Sequence, residues 1–205
     1  TTTMAFDGIV IANLVRDLND KIVSGRISKI AQPEKDELLF TIKGNRENVR
    51  LLVSANASLP LLYFTANNKP SPMTAPNFCM LLRKHIANGR IISVTQPGLE
   101  RIVRIEVEHL DEMGDLRRKF IVIELMGKHS NIILVDMRTG KIMDSIKRVS
   151  IDKNRARQLL PGKIYEYPPA QDKIPFLILT RSQAERIEPD PKTLLNTIGG
   201  ISPAV

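Results

Sequence analysis

Gly25-Arg26-Ile27-Ser28-Lys29-Ile30-Ala31-Gln32-Pro33 and Gly89-Arg90-Ile91-Ile92-Ser93-Val94-Thr95-Gln96-Pro97 share Gly, Arg, Ile, Gln and Pro at an offset of 64 residues. Each copy follows a helical pattern and precedes a strand pattern. The glycine is expected to release the chain from its helix in a left-handed turn. The isoleucine-bearing stretch then enters a sheet, and Gln-Pro breaks it before the next strand. A duplicated unit of this kind predicts two helix–β-hairpin units packed pseudo-symmetrically. Arg26 and Arg90 sit at equivalent places in the two copies, where surface ion pairing and ligand contact are both open.

Outward from the first copy, Ile11, Leu14, Val15, Leu18 and Ile22 recur at helical spacing and predict a helix over residues 7–23. Asp7 is placed to cap it, with Phe6 stapled against Ile11 and Gly25 at its stop. Apolar strands are predicted at Leu38–Ile42 and Val49–Val53 around a Lys43–Arg46 turn, with a short strand at Leu61–Thr65. Around the second copy, a helix is predicted from Thr74, as its cap, to Asn88, with Pro76 in its first turn and Gly89 ending it. Strands Ile102–Val107 and Lys119–Leu125 turn at Asp111–Asp115. Asn131–Val135 and Lys141–Lys147 turn at Thr139-Gly140. After Val149 prolines accumulate, and short helices are expected at Ser182–Ile187 and Pro191–Ile198. The fold class is therefore α+β with a β-rich core and a short helical C-terminal segment. Thr1-Thr2-Thr3 is expected to lie outside the folded sequence. The ending Gly199–Val205 reads as the start of another helix, so the chain is expected to continue.

The 205 residues carry 30 Lys and Arg against 22 Asp and Glu, a formal charge of +8. Between Arg83 and Lys163 stand seventeen of the bases and ten of the acids, so +7 of the excess is regional. Such a block is either a solvated hairpin surface or a face that neutralises phosphates. Aromatic residues make up only 4% and tryptophan is absent. That disfavours a base-stacking single-strand binder and favours contact with a folded RNA backbone. One cysteine, Cys79, excludes an internal disulfide framework. No apolar run is long enough for a membrane span and no secretory signal opens the chain, so a cytoplasmic protein with no membrane is expected.

Catalytic patterns are missing. The sequence holds no G-x-x-x-x-G-K-[ST], G-x-G-x-x-G or G-x-S-x-G. His85, His109 and His129 are scattered, and Cys79 lies on the apolar stripe with Leu82 and Ile86. Three polar clusters remain: Asp7, the pair Glu100-Arg101 after Gln96-Pro97-Gly98, and the run Glu124-Leu125-Met126-Gly127-Lys128-His129-Ser130-Asn131. The last reads either as a phosphate-binding nest or as a turn satisfied by its own Ser and Asn.

Met4-Ala5-Phe6-Asp7-Gly8, Gly25-Arg26-Ile27 with Gln32-Pro33, Asn77–His85, Gln96–Ile102 and Glu124–Asn131 together resemble the N-terminal domain of the NFACT family. The resemblance implies a first domain at residues 4–178. It also implies that residues 179–205 are a linker and the truncated start of a helix-hairpin-helix region. It implies a β-rich fold similar to the N-terminal domain of formamidopyrimidine-type DNA glycosylases. This chain lacks their N-terminal Pro-Glu, so no glycosylase activity is expected. The family implies a ribosome-associated quality-control factor. Its members bind the large ribosomal subunit obstructed by peptidyl-tRNA and recruit tRNA, alanyl-tRNA in bacteria, for template-free tailing of stalled chains. Peptide-bond formation then belongs to the ribosome, so the chain is expected to be no enzyme and to use no cofactor. Family residues that engage tRNA map onto Asp7, Glu100 and Arg101, with Glu standing where many members have Asp. Charge and turn chemistry add Lys128 and His129, and Arg26, Arg83, Lys84 and Arg90 as phosphate contacts. The competing reading is a surface adhesin that binds fibronectin.

Overall fold

The computed structural model describes residues 2–58, 60–97, 101–149, 157–168 and 177–179. The helices expected near 182–187 and 191–198 lie outside these residues, as does nearly all of the segment assigned to 179–205.

Helix α1 (Thr2–Ile22) leads into strands β1 (Arg26–Glu34), β2 (Glu37–Lys43), β3 (Asn48–Ser54) and β4 (Leu61–Thr65). Helix α2 (Asn77–Ile86) leads into β5 (Arg90–Thr95), β6 (Ile102–Leu110), β7 (Leu116–Glu124) and β8 (Asn131–Asp136), followed by β9 (Ile142–Ser145) and β10 (Leu177–Leu179). All ten strands form one sheet in the order β10-β4-β3-β2-β1-β5-β6-β7-β8-β9. Among the described residues only the β10–β4 pairing is parallel. The two units run outward from β1 and β5, which meet at the centre.

The centre obeys a pseudo-dyad. Arg26 and Arg90 face each other. Ile27 N–H donates to Gly89 O and Ile91 N–H to Gly25 O, both at 2.9 Å. Ser24 N–H donates to Ile91 O and Asn88 N–H to Ile27 O, both at 2.7 Å. Each bond maps onto its partner by the 64-residue offset. The same β-bulge recurs, between Ile27 and Lys29 in β1 and between Ile91 and Ser93 in β5. The helices cross over the dyad: Asn19 Nδ2 donates to Val94 O and Arg83 Nε to Ile30 O, both at 2.8 Å. Residues 19 and 83, like 30 and 94, are equivalent by the offset.

One sheet face buries both helices. Ile11, Leu18 and Ile22 of α1 and Cys79, Leu82 and Ile86 of α2 are 0% exposed and join a single core with Ile27, Phe40, Leu51, Ile91, Val107 and Ile121. Each such apolar side chain contributes about 1.5–3 kcal/mol on burial. The opposite face carries a second core over β6–β9, formed by Ile102, Val122, Ile133, Val135, Ile142 and Leu159.

Several expectations are corrected. α1 begins at Thr2, so Thr2 and Thr3 belong to its first turn and Asp7 lies inside the helix rather than capping it. α2 starts at Asn77 behind Pro76, with no side-chain cap, so Thr74 caps nothing. The left-handed residues after the helices are Ser24 (φ 70°) and Asn88 (φ 64°), one position before the glycines. The glycines are required by close approach instead. A Cβ on Gly25 would lie 2.8 Å from Ile22 O, and one on Gly89 would lie 2.6 Å from Val107 Cγ1. Gln32-Pro33 does not end β1. The strand runs on to Glu34 across a register shift, the place in a sheet where proline is tolerated.

Candidate functional site

At one end of the sheet, β6 begins where β7 ends. Leu125 N–H donates to Arg101 O at 3.0 Å, which sets Arg101 beside the connection from β7 to β8. That connection is a 3-10 turn, Gly127–His129. His129 N–H donates to Met126 O and Ser130 N–H to Gly127 O, both at 3.0 Å, and Ser130 Oγ accepts from Met126 N–H at 2.8 Å. Asn131 Oδ1 accepts from Lys147 N–H at 3.0 Å, and its Nδ2 donates to Lys147 O at 2.8 Å. Ser130 therefore satisfies the turn as expected, whereas Asn131 ties the start of β8 to Lys147 instead. Lys128 and His129 project from it exposed.

Arg101 and the Lys128–His129 turn, far apart in sequence, are thus brought together. Arg101 is only 7% exposed, so most of its side chain is packed within the fold. Glu100 lies outside the described residues. Asp7 lies on α1 in a stretch whose side chains fall outside the description, and α1 is aimed toward this end. Its Asn19 meets Val94 near the end of β5, while the residues after Ile22 meet the beginning of that strand. Arg83 and Lys84 stand elsewhere, exposed on α2. Arg83 Nε is occupied by Ile30 O, and Lys84 lies 4.0 Å from Glu112.

Beneath the turn lies a group that sequence reading did not assemble. Glu124, last residue of β7, is 0% exposed. Arg157 Nη2 donates to both its oxygens, at 2.6 and 2.7 Å, and Tyr165 Oη donates to Oε2 at 2.5 Å. Burial pushes the Glu124 carboxyl up, opposed by the Arg157 charge and both donors. Burial beside this carboxylate pushes the Tyr165 phenol up as well. With its oxygens so occupied, Glu124 is suited to holding residues 157–168 on the sheet rather than to acid–base chemistry. The one signal available was a Glu closing the apolar run Ile121-Val122-Ile123. Its partners stand 33 and 41 residues away, beyond the reach of local pattern.

Next to this clamp, Arg104 lies 4.6 Å over the Phe120 ring and donates to Tyr167 Oη at 2.8 Å. These residues and Tyr165 line a cavity of about 160 Å³, below the roughly 300 Å³ at which drug-sized ligand pockets begin. A groove of about 480 Å³ in the first unit is bordered by Glu34, Asp36, Glu37, Tyr63 and Lys69. Burial raises the Glu37 carboxyl, and Lys69 at 2.6 Å opposes this. Among the described residues no three His, Cys, Asp or Glu are grouped to hold a metal. No described helix is long and apolar enough to cross a membrane. Cys79 is buried, its thiol pushed up by burial, in keeping with a core residue.

Known proteins share this architecture. RqcH of Bacillus subtilis, described as an Rqc2 homolog, is 43% identical over 171 residues, covering 83% of this chain and 30% of that protein. Subunit 2 of the ribosome quality control complex of Saccharomyces cerevisiae is 27% identical over 154 residues, 75% of this chain and 13% of that protein. The N-terminal domain of the fibronectin-binding protein PavA from Streptococcus pneumoniae superposes with a TM-score of 0.77 at 41% identity, covering 80% of this chain and 62% of that one. The chain thus spans about a third of the length of the bacterial relatives, 30% and 35% of two of them. The profile described as NFACT N-terminal and middle domains matches residues 7–205, and the chain belongs to the NFACT family.

Proposed function

We propose that this chain is the tRNA-engaging N-terminal part of a cytoplasmic ribosome-associated quality-control factor. The whole protein would bind the large ribosomal subunit obstructed by peptidyl-tRNA and recruit alanyl-tRNA for template-free tailing of the stalled peptide. The observation that carries this reading is the bond from Leu125 N–H to Arg101 O, which sets Arg101 beside the connection bearing exposed Lys128 and His129, in a chain whose relatives are named for ribosome quality control. The cations supply phosphate contacts and orientation. Peptide-bond formation remains the ribosome's, and the chain itself acts as a binding module without cofactor.

Lys128→Gln with His129→Gln tests this directly, because both side chains are exposed. Fluorescence anisotropy with labelled tRNA is expected to show a clear loss of affinity at unchanged melting temperature. Unchanged affinity would remove this end of the sheet from the site. Arg101→Ala is expected to weaken tRNA binding too, but it also costs about 1–3 kcal/mol of stability because the whole residue is buried.

A second reading follows from the solved relatives named as fibronectin-binding. It makes the chain part of an adhesin. Surface labelling of intact cells together with a fibronectin-binding assay separates the two: label and affinity support the adhesin, and neither does if the RNA reading holds.

A further inference from the structure

The pseudo-dyad brings two arginines together on the sheet face opposite the helices. The bonds Ile27 N–H to Gly89 O and Ile91 N–H to Gly25 O flank the Arg26–Arg90 pair on both sides. That pattern makes it a non-hydrogen-bonded antiparallel pair, the kind whose Cα atoms lie about 4.5 Å apart and whose side chains are closest. Like charges directly opposite one another in a sheet are destabilising. The row continues with Lys43, paired to Arg26 on β2. Lys43, Arg26 and Arg90 are all exposed, and Lys29 adds another exposed cation further along β1 on the same face.

On the far side of the row stand Glu108 and then Arg118. Glu108 does not neutralise Arg90. Its carboxylate is held by Arg118 at 3.2 Å, and the same arginine holds Glu106 at 3.1 Å. Among the described residues no carboxylate ion-pairs with Lys43, Arg26 or Arg90. The sheet therefore compensates its acids and leaves three adjacent cations facing water.

We propose that this row is a phosphate seat for a folded RNA strand, with the Arg26–Arg90 pair gripping one phosphodiester on the dyad and Lys43 its neighbour. Guanidinium forks suit phosphate oxygens, and neutralising the facing pair removes a repulsion that the free protein carries. The seat lies at the centre of the sheet, apart from the Arg101–Lys128 end, so one RNA would be held at two places. This rests on the RNA-binding reading above and adds a second surface to it.

The test is a salt titration of tRNA affinity by anisotropy for the wild-type chain, Arg26→Gln with Arg90→Gln, Arg26→Lys with Arg90→Lys, and Arg138→Gln as a remote exposed control. Each lost phosphate contact lowers the slope of log K against log salt by about 1. Because the two arginines grip one phosphate, the glutamine pair is expected to lower it by about 1, the lysine pair to retain it, and the control to leave it unchanged. If the glutamine pair binds like wild type while Lys128→Gln with His129→Gln weakens binding, the dyad seat is wrong and the RNA reading survives. If the wild-type chain binds no tRNA, both fall. Binding of the wild type to phosphatidylserine vesicles but not to tRNA, lost in the glutamine pair, would assign the row to a membrane surface and overturn the seat.

Discussion

The two units of this chain share one plan and differ in what lies on their open face. In both, a helix of equivalent position hydrogen-bonds across the dyad to the other unit's central strand, and a glycine admits the same close backbone approach. On the second unit, residues 157–168 lie over β6–β9 and are pinned by a fully buried carboxylate. The matching pin on the first unit is the Glu37–Lys69 pair, which keeps partial access to solvent. Duplication supplied the scaffold, and the added chemistry sits where the symmetry is broken. The regional charge follows the same division, since the +7 block belongs to the second unit and its strap.

The largest contrast should come from the two pins. Arg157→Ala strands a buried carboxylate and is expected to cost about 3–5 kcal/mol. Lys69→Ala breaks a partly exposed pair and is expected to cost no more than about 1 kcal/mol. Urea denaturation measures both, and equal losses would erase the distinction between the two faces.

The shared plan can be broken next. Gly25→Ala and Gly89→Ala each drive a Cβ against fixed backbone, Ile22 O in one and Ile86 O in the other, both at 2.8 Å. Each is expected to cost about 1–3 kcal/mol. Similar losses support a true pseudo-dyad, whereas a large loss at one and none at the other contradicts it.

A smaller effect is confined to the second unit. His85 and His109 lie near Lys119, with Lys84, Glu112, Asp111 and Asp136 around them. Burial first, and then the Lys119 charge, lowers both pKa values below 6.5. The unfolded chain then binds more protons than the folded one as pH falls through 6.5. Their contribution is complete above that pH and is lost on acidification below it. His85→Gln with His109→Gln should flatten the fall of melting temperature below pH 6.5. A fall unchanged by the double substitution would assign it elsewhere.

Much of this was legible in sequence. The 64-residue repeat announced the two units, and apolar alternation placed most strands within a few residues. Periodicity found both helices, but it could not place their starts. Asp7 offered cap chemistry inside a continuing helix, and Thr74 stood outside one whose first turn follows Pro76. The glycines were identified and their reason was not, because a Cβ clash with Val107 is a tertiary fact. The Lys128–His129 turn was visible as a polar run between strands. Its meeting with Arg101 depended on the β6–β7 register, and the Glu124 clamp on partners more than thirty residues away. Arg26 and Arg90 were singled out, but only antiparallel pairing across the dyad makes them neighbours.

The most direct test is the tRNA affinity of the wild-type chain measured across a salt series. Engagement through its cations predicts binding that weakens steeply and linearly in log K against log salt, by about 0.7–0.9 in slope per phosphate contact. Absence of binding, or an affinity indifferent to salt, would contradict it.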